Sequence, residues 1–285
     1  MCRCANLDTN QWLYSRLAHF HIITSPKFQI DMKQIPNLFT LLNLVCGCIA
    51  IVFTLQIQSV LINVNEDFSS SFSLPEQLTY ASIFIFIAAI VDFLDGFVAR
   101  LFNASSEMGK QLDSLADVVS FGVAPSMIIY QLLRFCYMQE ESGLDTSVFL
   151  LFPAFLIACA GAYRLARFNL DTTQSYGFKG VPIPAVGILI ASFPLALHYG
   201  STLVNVNTLF INKWFLYGVI LLTSWLMVSK LPMMAMKFKN LSVKNNLSKF
   251  ILIIFSVLAA IFLHWMAVPV IFIGYIILSL AFKNQ

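Results

Sequence analysis

Apolar runs of membrane-spanning length, separated by short polar stretches, dominate the chain from about residue 37 onward. A helix needs about 20 predominantly apolar residues to cross the hydrocarbon core of a bilayer. On that measure the pattern predicts spans at 37–57, 79–101, 112–133, 147–167, 183–199, 212–229, 248–264 and 267–282. The last two are short and read as a tight hairpin turning near His264, Trp265 and Pro269. The expected fold is all-α: a polytopic membrane helix bundle of about eight transmembrane helices, with no separate soluble domain. Residues 32–199 form the expected core that carries the chemistry, and residues 200–285 the helices that complete the bundle.

Residues 1–31 break the pattern. They are mixed in character, with a moderately apolar stretch from Leu13 to Ile23, but they lack the uninterrupted apolar region and small-residue cleavage site of a signal peptide. Met32 stands directly before Lys33-Gln34-Ile35-Pro36-Asn37, where the first span begins. The segment is either an extension upstream of a true start at Met32, the preferred reading, or an amphipathic stretch at the membrane interface.

Composition strengthens the membrane reading. Of 285 residues, 59% are hydrophobic and only 11% charged, and the mean hydropathy is +0.80. Soluble domains carry roughly 25% charged residues, so lipid is the solvent for most of this chain. No basic patch interleaved with aromatics marks a nucleic-acid partner. Charge placement instead reports orientation. With the N-terminus in the cytoplasm and alternating spans, Arg134 and Lys213 alone among the 17 Lys and Arg fall on the outer side. The outer loops hold Glu66, Asp67, Glu76, Glu140, Glu141 and Asp145. The positive-inside rule therefore places both termini in the cytoplasm. The six cysteines have no zinc-site spacing and read as small apolar residues, and the four scattered histidines carry no catalytic expectation.

Ionisable residues inside spans cost at least ~2.5–3.5 kcal/mol each on insertion scales, and so mark candidate sites. Asp92 and Asp95 lie at the cytoplasmic end of span two, followed by Gly96, Ala99 and Arg100. Gly109, Lys110, Asp113 and Asp117 follow a short loop later. Residues three or four apart share a helix face, so each aspartate pair faces one way, and a short loop makes the two helices antiparallel neighbours. Four converging carboxylates repel one another unless a counter-charge joins them. Hard carboxylate oxygens suit Mg²⁺ or Mn²⁺, and a metal pair about 3.5–4 Å apart is the usual clamp on a diphosphate.

The run Asp92-x2-Asp95-Gly96-x2-Ala99-Arg100-x8-Gly109-x3-Asp113-x3-Asp117 resembles the signature of the CDP-alcohol phosphotransferases. The resemblance implies a binuclear Mg²⁺ or Mn²⁺ site built by Asp92, Asp95, Asp113 and Asp117. It gives Asp117 the added role of general base on the acceptor hydroxyl. It also assigns Gly96, Ala99, Arg100 and Gly109 to the CDP-lipid pocket, and implies a homodimer.

Further stretches resemble one branch of that family, the bacterial membrane-integrated phosphatidylserine synthases. These are Ile35 to Asn43, Ser120 to Pro125, Tyr163 to Asn169 and Phe178 to Pro184, with Gly180-Val181-Pro182 where that branch usually has Gly-Leu-Pro. The likeness runs from about Met32 into span eight and weakens after Pro184. It implies CDP-diacylglycerol as donor, L-serine as acceptor and a place in the bacterial cytoplasmic membrane among its lipids. Arg164 and Arg167, one turn apart at the cytoplasmic end of span four, suit a carboxylate or phosphate. Asn169 and Lys179 are candidates to assist them, against the alternative that these cations only anchor topology. Other acceptors, such as glycerol phosphate or inositol phosphate, stay open. An ion-coupled transporter would place its charges near the bilayer midplane and show inverted repeats, and neither is seen.

Overall fold

The protein is described from a computed structural model covering residues 35–57, 62–64, 70–72, 75–101, 106–140, 146–170, 178–199, 209–234 and 247–282. The N-terminal segment 1–31 and residues 235–246 of the lysine-bearing loop lie outside the described residues. Every apolar run read from the sequence is helical, as it must be where lipid offers the backbone no hydrogen-bond partners. The helices are α1 (Ile35–Leu55), α2 (Glu76–Leu101), α3 (Glu107–Asp117) and α4 (Ala124–Met138). They continue with α5 (Leu156–Leu170), α6 (Ile183–Tyr199), α7 (Lys213–Val228), α8 (Leu247–Leu263) and α9 (Ala267–Ala281).

Among the described residues, five segments are long and apolar enough to cross a membrane: Pro36–Leu55, Glu76–Leu101, Glu107–Met138, Val148–Leu170 and Ser248–Ala281. The last of these turns near its middle, at a 3₁₀ turn spanning His264–Met266 with His264 at φ 47, so that α8 packs along α9. This is the expected hairpin. Helices α6 and α7 are apolar but short, at 17 and 16 residues. Helix α6 is buried on nearly every side, against α2, α4 and α9. A helix apolar all round belongs in an interior.

Span three differs from its predicted start at 112. Helix α3 begins at Glu107, because Ser106 caps it by accepting a bond from the Gly109 N–H at 2.9 Å. The turn that carries Gly109 and Lys110 is thus helical rather than loop. Between α3 and α4 the chain passes through a π turn at Val118–Val123. Pro125 supplies the reason: it has no N–H for the carbonyl four residues back, and its ring crowds that carbonyl, so the coil widens. The Ala124 N–H accordingly reaches back to Val119 O.

Short antiparallel ladders join Ile62–Val64 to Ser70–Phe72 and Phe178–Lys179 to Pro232–Met233. The second pins the chain entering α6 against the end of α7. Gly180, at φ +79, donates to Leu231 O, and Val181 to Leu226 O. At the opposite end of the bundle, Lys213 pairs with Glu140, and Tyr217 donates to Leu150 O while meeting Tyr137. Cys46 and Cys136 are buried, as the sequence reading expects; Cys48 and Cys159 instead lie on the exposed surface.

Candidate active site

The first turns of α1, the last turns of α2 and the whole of α3 meet around the aspartates. Helical spacing puts Asp92 and Asp95 on one side of α2, and the N-cap at Ser106 sets the phase of α3 so that Asp113 faces them. One carboxylate oxygen from each of Asp92, Asp95 and Asp113 lies within 4.8 Å of the others. Asp117 stands one turn deeper, 7% exposed, at the junction with the π turn, and its carboxyl contacts that of Asp92. Among the described residues, no lysine or arginine forms an ion pair with any of the four. Closely spaced hard oxygens without a protein counter-charge are what a metal ion needs, and the Asp92, Asp95 and Asp113 cluster could hold one.

A cleft of about 460 Å³ opens beside this cluster. Gly96 and Ala99 of α2 line it, with Gly109, Lys110 and Asp113 of α3 and Pro36, Asn37 and Thr40 of α1. A Cβ on Gly96 would meet nothing within 4 Å, so a larger residue there would occupy the cleft itself. The cleft thus brings together Gly96, Ala99 and Gly109. Arg100 is exposed at the end of α2 and is not among the residues lining the cleft.

Helix α5 closes the other side. Arg164 is 8% exposed, its Nε has no hydrogen-bond partner, and Asp117 and Tyr275 are among its ionisable neighbours. Arg167 is engaged differently: its Nη1 donates to Val228 O at the end of α7, at 2.9 Å. Positive charge at a helix C-terminus complements the carbonyls there. Arg167 also borders a second groove, of about 380 Å³, with Tyr163, Ala166 and Leu170. Asn169 donates to Ser114 Oγ at 2.8 Å and so braces α5 against α3. Lys179 pairs through its backbone with Pro232; its side chain lies outside what is described.

The sequence reading gave no role to two buried side chains of α1. Thr40 Oγ1 donates to Asp95 Oδ2 at 3.0 Å, and Asn43 Nδ2 to Asp117 Oδ1 at 3.4 Å. A signal existed: Asn37, Thr40 and Asn43 recur every three residues in an otherwise apolar run, which places three polar groups along one face.

Comparison with known proteins bears on this arrangement. The CDP-alcohol phosphatidyltransferase family model matches residues 33–225. The CDP-diacylglycerol–serine O-phosphatidyltransferase of Helicobacter pylori strain J99 is 37% identical over 223 residues, 77% of this chain and 78% of that protein. The Bacillus subtilis enzyme of the same name is 33% identical over 178 residues, 62% of this chain and 83% of its own. The Saccharomyces cerevisiae enzyme of that name is 37% identical over 141 residues, 46% of this chain and 47% of its own. The matched stretch contains every aspartate of the cluster, the cleft and the facing α5, and the chain belongs to the CDP-alcohol phosphatidyltransferase family.

Proposed function

We propose that the protein transfers the phosphatidyl group of CDP-diacylglycerol to L-serine, releasing CMP. The observation that carries this reading is the position of Asp117. It lies buried between an acidic cluster suited to a metal-held diphosphate and an arginine with an unpartnered buried Nε. The relatives' shared name supports serine as the acceptor.

Asp92, Asp95 and Asp113, with Asp117, would hold Mg²⁺ or Mn²⁺ as a binuclear site. Bound there, such ions would supply the positive charge that polarises the phosphoryl oxygens and offsets charge on the departing CMP. The cleft beside Gly96 and Ala99 takes the cytidine diphosphate, and Lys110 at its wall adds positive charge near the phosphates. Arg164 binds the carboxylate of serine, its planar fork matching that group. This places the serine hydroxyl near Asp117, which takes its proton as the oxygen bonds to the lipid-side phosphorus. The phosphorus–oxygen bond to CMP breaks in the same step. Arg167, which borders the groove beside Tyr163, meets the lipid phosphate. The site faces the cytoplasm: Arg100, Lys110, Arg164 and Arg167 gather at its end of the bundle, and few cations stand at the other.

The test is CMP release by purified protein with CDP-diacylglycerol and Mg²⁺ or Mn²⁺, comparing serine, glycerol phosphate and inositol phosphate. Release with serine alone, with a ninhydrin-positive lipid product, is the expected result. Release with another acceptor instead would refute the substrate.

A further inference from the structure

We infer that Asn43 is a positioning residue for Asp117, holding its carboxylate in the orientation that accepts the proton of the incoming alcohol. The inference rests on the proposed role of Asp117 and adds a residue that role does not require. Asn43 is 0% exposed in the interior of α1. A buried amide is costly unless it is bonded, and purely structural asparagines generally use both ends of the amide. Asn43 does not. Its Nδ2 donates to Asp117 Oδ1 at 3.4 Å, while its Oδ1 is buried with no hydrogen-bond partner. Its side-chain hydrogen bonding is committed to the candidate base.

The backbone around it is held closely enough for that bond to orient something. Ser120 Oγ, on the π turn just after Asp117, donates to Asn43 O at 3.0 Å. One turn further along α1, a Cβ on Gly47 would lie 2.5 Å from Ser120 Oγ and 2.8 Å from Ser120 Cα. Only glycine permits this approach, so α1 and the π turn are fixed on each other at van der Waals contact. The terminal torsion of an aspartate is broad and roughly two-fold. A donor at Oδ1 selects one orientation and so fixes which lone pairs of the carboxylate face the site. Thr40 stands in the same relation to Asp95, but its hydroxyl also has the Pro36 carbonyl within reach.

The test uses the full chain in detergent, with steady-state CMP release and a thermal-shift measurement of CDP-diacylglycerol binding in Mn²⁺. Asn43→Ser is the primary variant: its hydroxyl is too short to reach Asp117 and satisfies itself on the preceding helical turn. Asn43→Leu, near in volume and unable to donate, separates hydrogen bonding from packing. A misplacement of about 1 Å costs on the order of 10²-fold in rate. Both variants should therefore lose kcat by about that factor at saturating Mn²⁺, with KM for either substrate and lipid binding within about twofold of the parent. A folded Asn43→Ser protein with parental kcat overturns the inference. So does a raised KM for serine at unchanged kcat, which would put Asn43 on the substrate rather than on the base. A loss of activity matched by lost lipid binding in both variants overturns it as well, because it marks a structural role. A parent chain that releases no CMP with any acceptor overturns the proposed function and this inference together. An active parent insensitive to Asn43 overturns only the inference.

Discussion

Replacing Thr40 by valine removes one hydroxyl from the site while keeping the shape of the side chain. Thr40 is 4% exposed and Asp95 6% exposed, so the bond between them is largely shielded from water. The hydroxyl has one proton and two acceptors in reach: Asp95 Oδ2 at 3.0 Å and Pro36 O at 3.2 Å. The carboxylate is the nearer, and as an ionised acceptor the stronger. Losing a hydrogen bond to a charged group costs about 1.5–3 kcal/mol, or roughly ten- to a hundredfold at about 1.4 kcal/mol per factor of ten. Partners of metal-ligating side chains have effects of the same size, about 10–100-fold in metal affinity or activity. Asp95 also borders the open cleft, where water can replace part of what the hydroxyl supplied. The lower end, about tenfold, is the expected loss. The assay strips the protein with EDTA and titrates Mn²⁺ back while following CMP release. Thr40→Val should need about tenfold more Mn²⁺ for half-maximal rate, with an unchanged unfolding temperature in the metal-free protein. Half-saturation within twofold of the parent would refute the argument that Thr40 orients a metal ligand. A lowered unfolding temperature without metal would reassign the bond to folding.

Asp117→Asn should abolish CMP release while CDP-diacylglycerol still shifts the unfolding temperature in the presence of Mn²⁺; turnover at the parental rate would remove the base assignment. Gly96→Val should raise the KM for CDP-diacylglycerol at least several-fold, since its side chain enters the cleft where a Cβ meets no protein atom, and should leave the unfolding temperature unchanged. Gly180→Ala should destabilise by more than about 1 kcal/mol, because it imposes φ +79 on an L side chain and sets a Cβ 2.5 Å from Met227 O; thermal unfolding in detergent with an unaltered melting point would contradict this.

Local pattern determined much of this protein. Apolar runs near 20 residues have one satisfactory conformation in lipid, so the helices and their rough limits follow from hydropathy alone. Spacing of three and four residues put Asp92 with Asp95 and Asp113 with Asp117, because helical phase is a local property. The early start of α3 depends on a single cap, Ser106, in a polar stretch that hydropathy cannot read. Tertiary structure alone decided how elements distant in sequence meet. Arg164 and Arg167 look equivalent along α5, yet one is buried with Asp117 and Tyr275 as ionisable neighbours and the other is tied to Val228 O at the end of α7. Gly180 is glycine because its backbone holds φ +79 against the carbonyls at the end of α7, an approach the sequence around it does not announce. Thr40 and Asn43 gain their meaning from carboxylates 55 and 74 positions away in the chain. Periodicity tells which face of a helix is polar. Which side chain on another helix that face meets is set by the packing of the whole bundle.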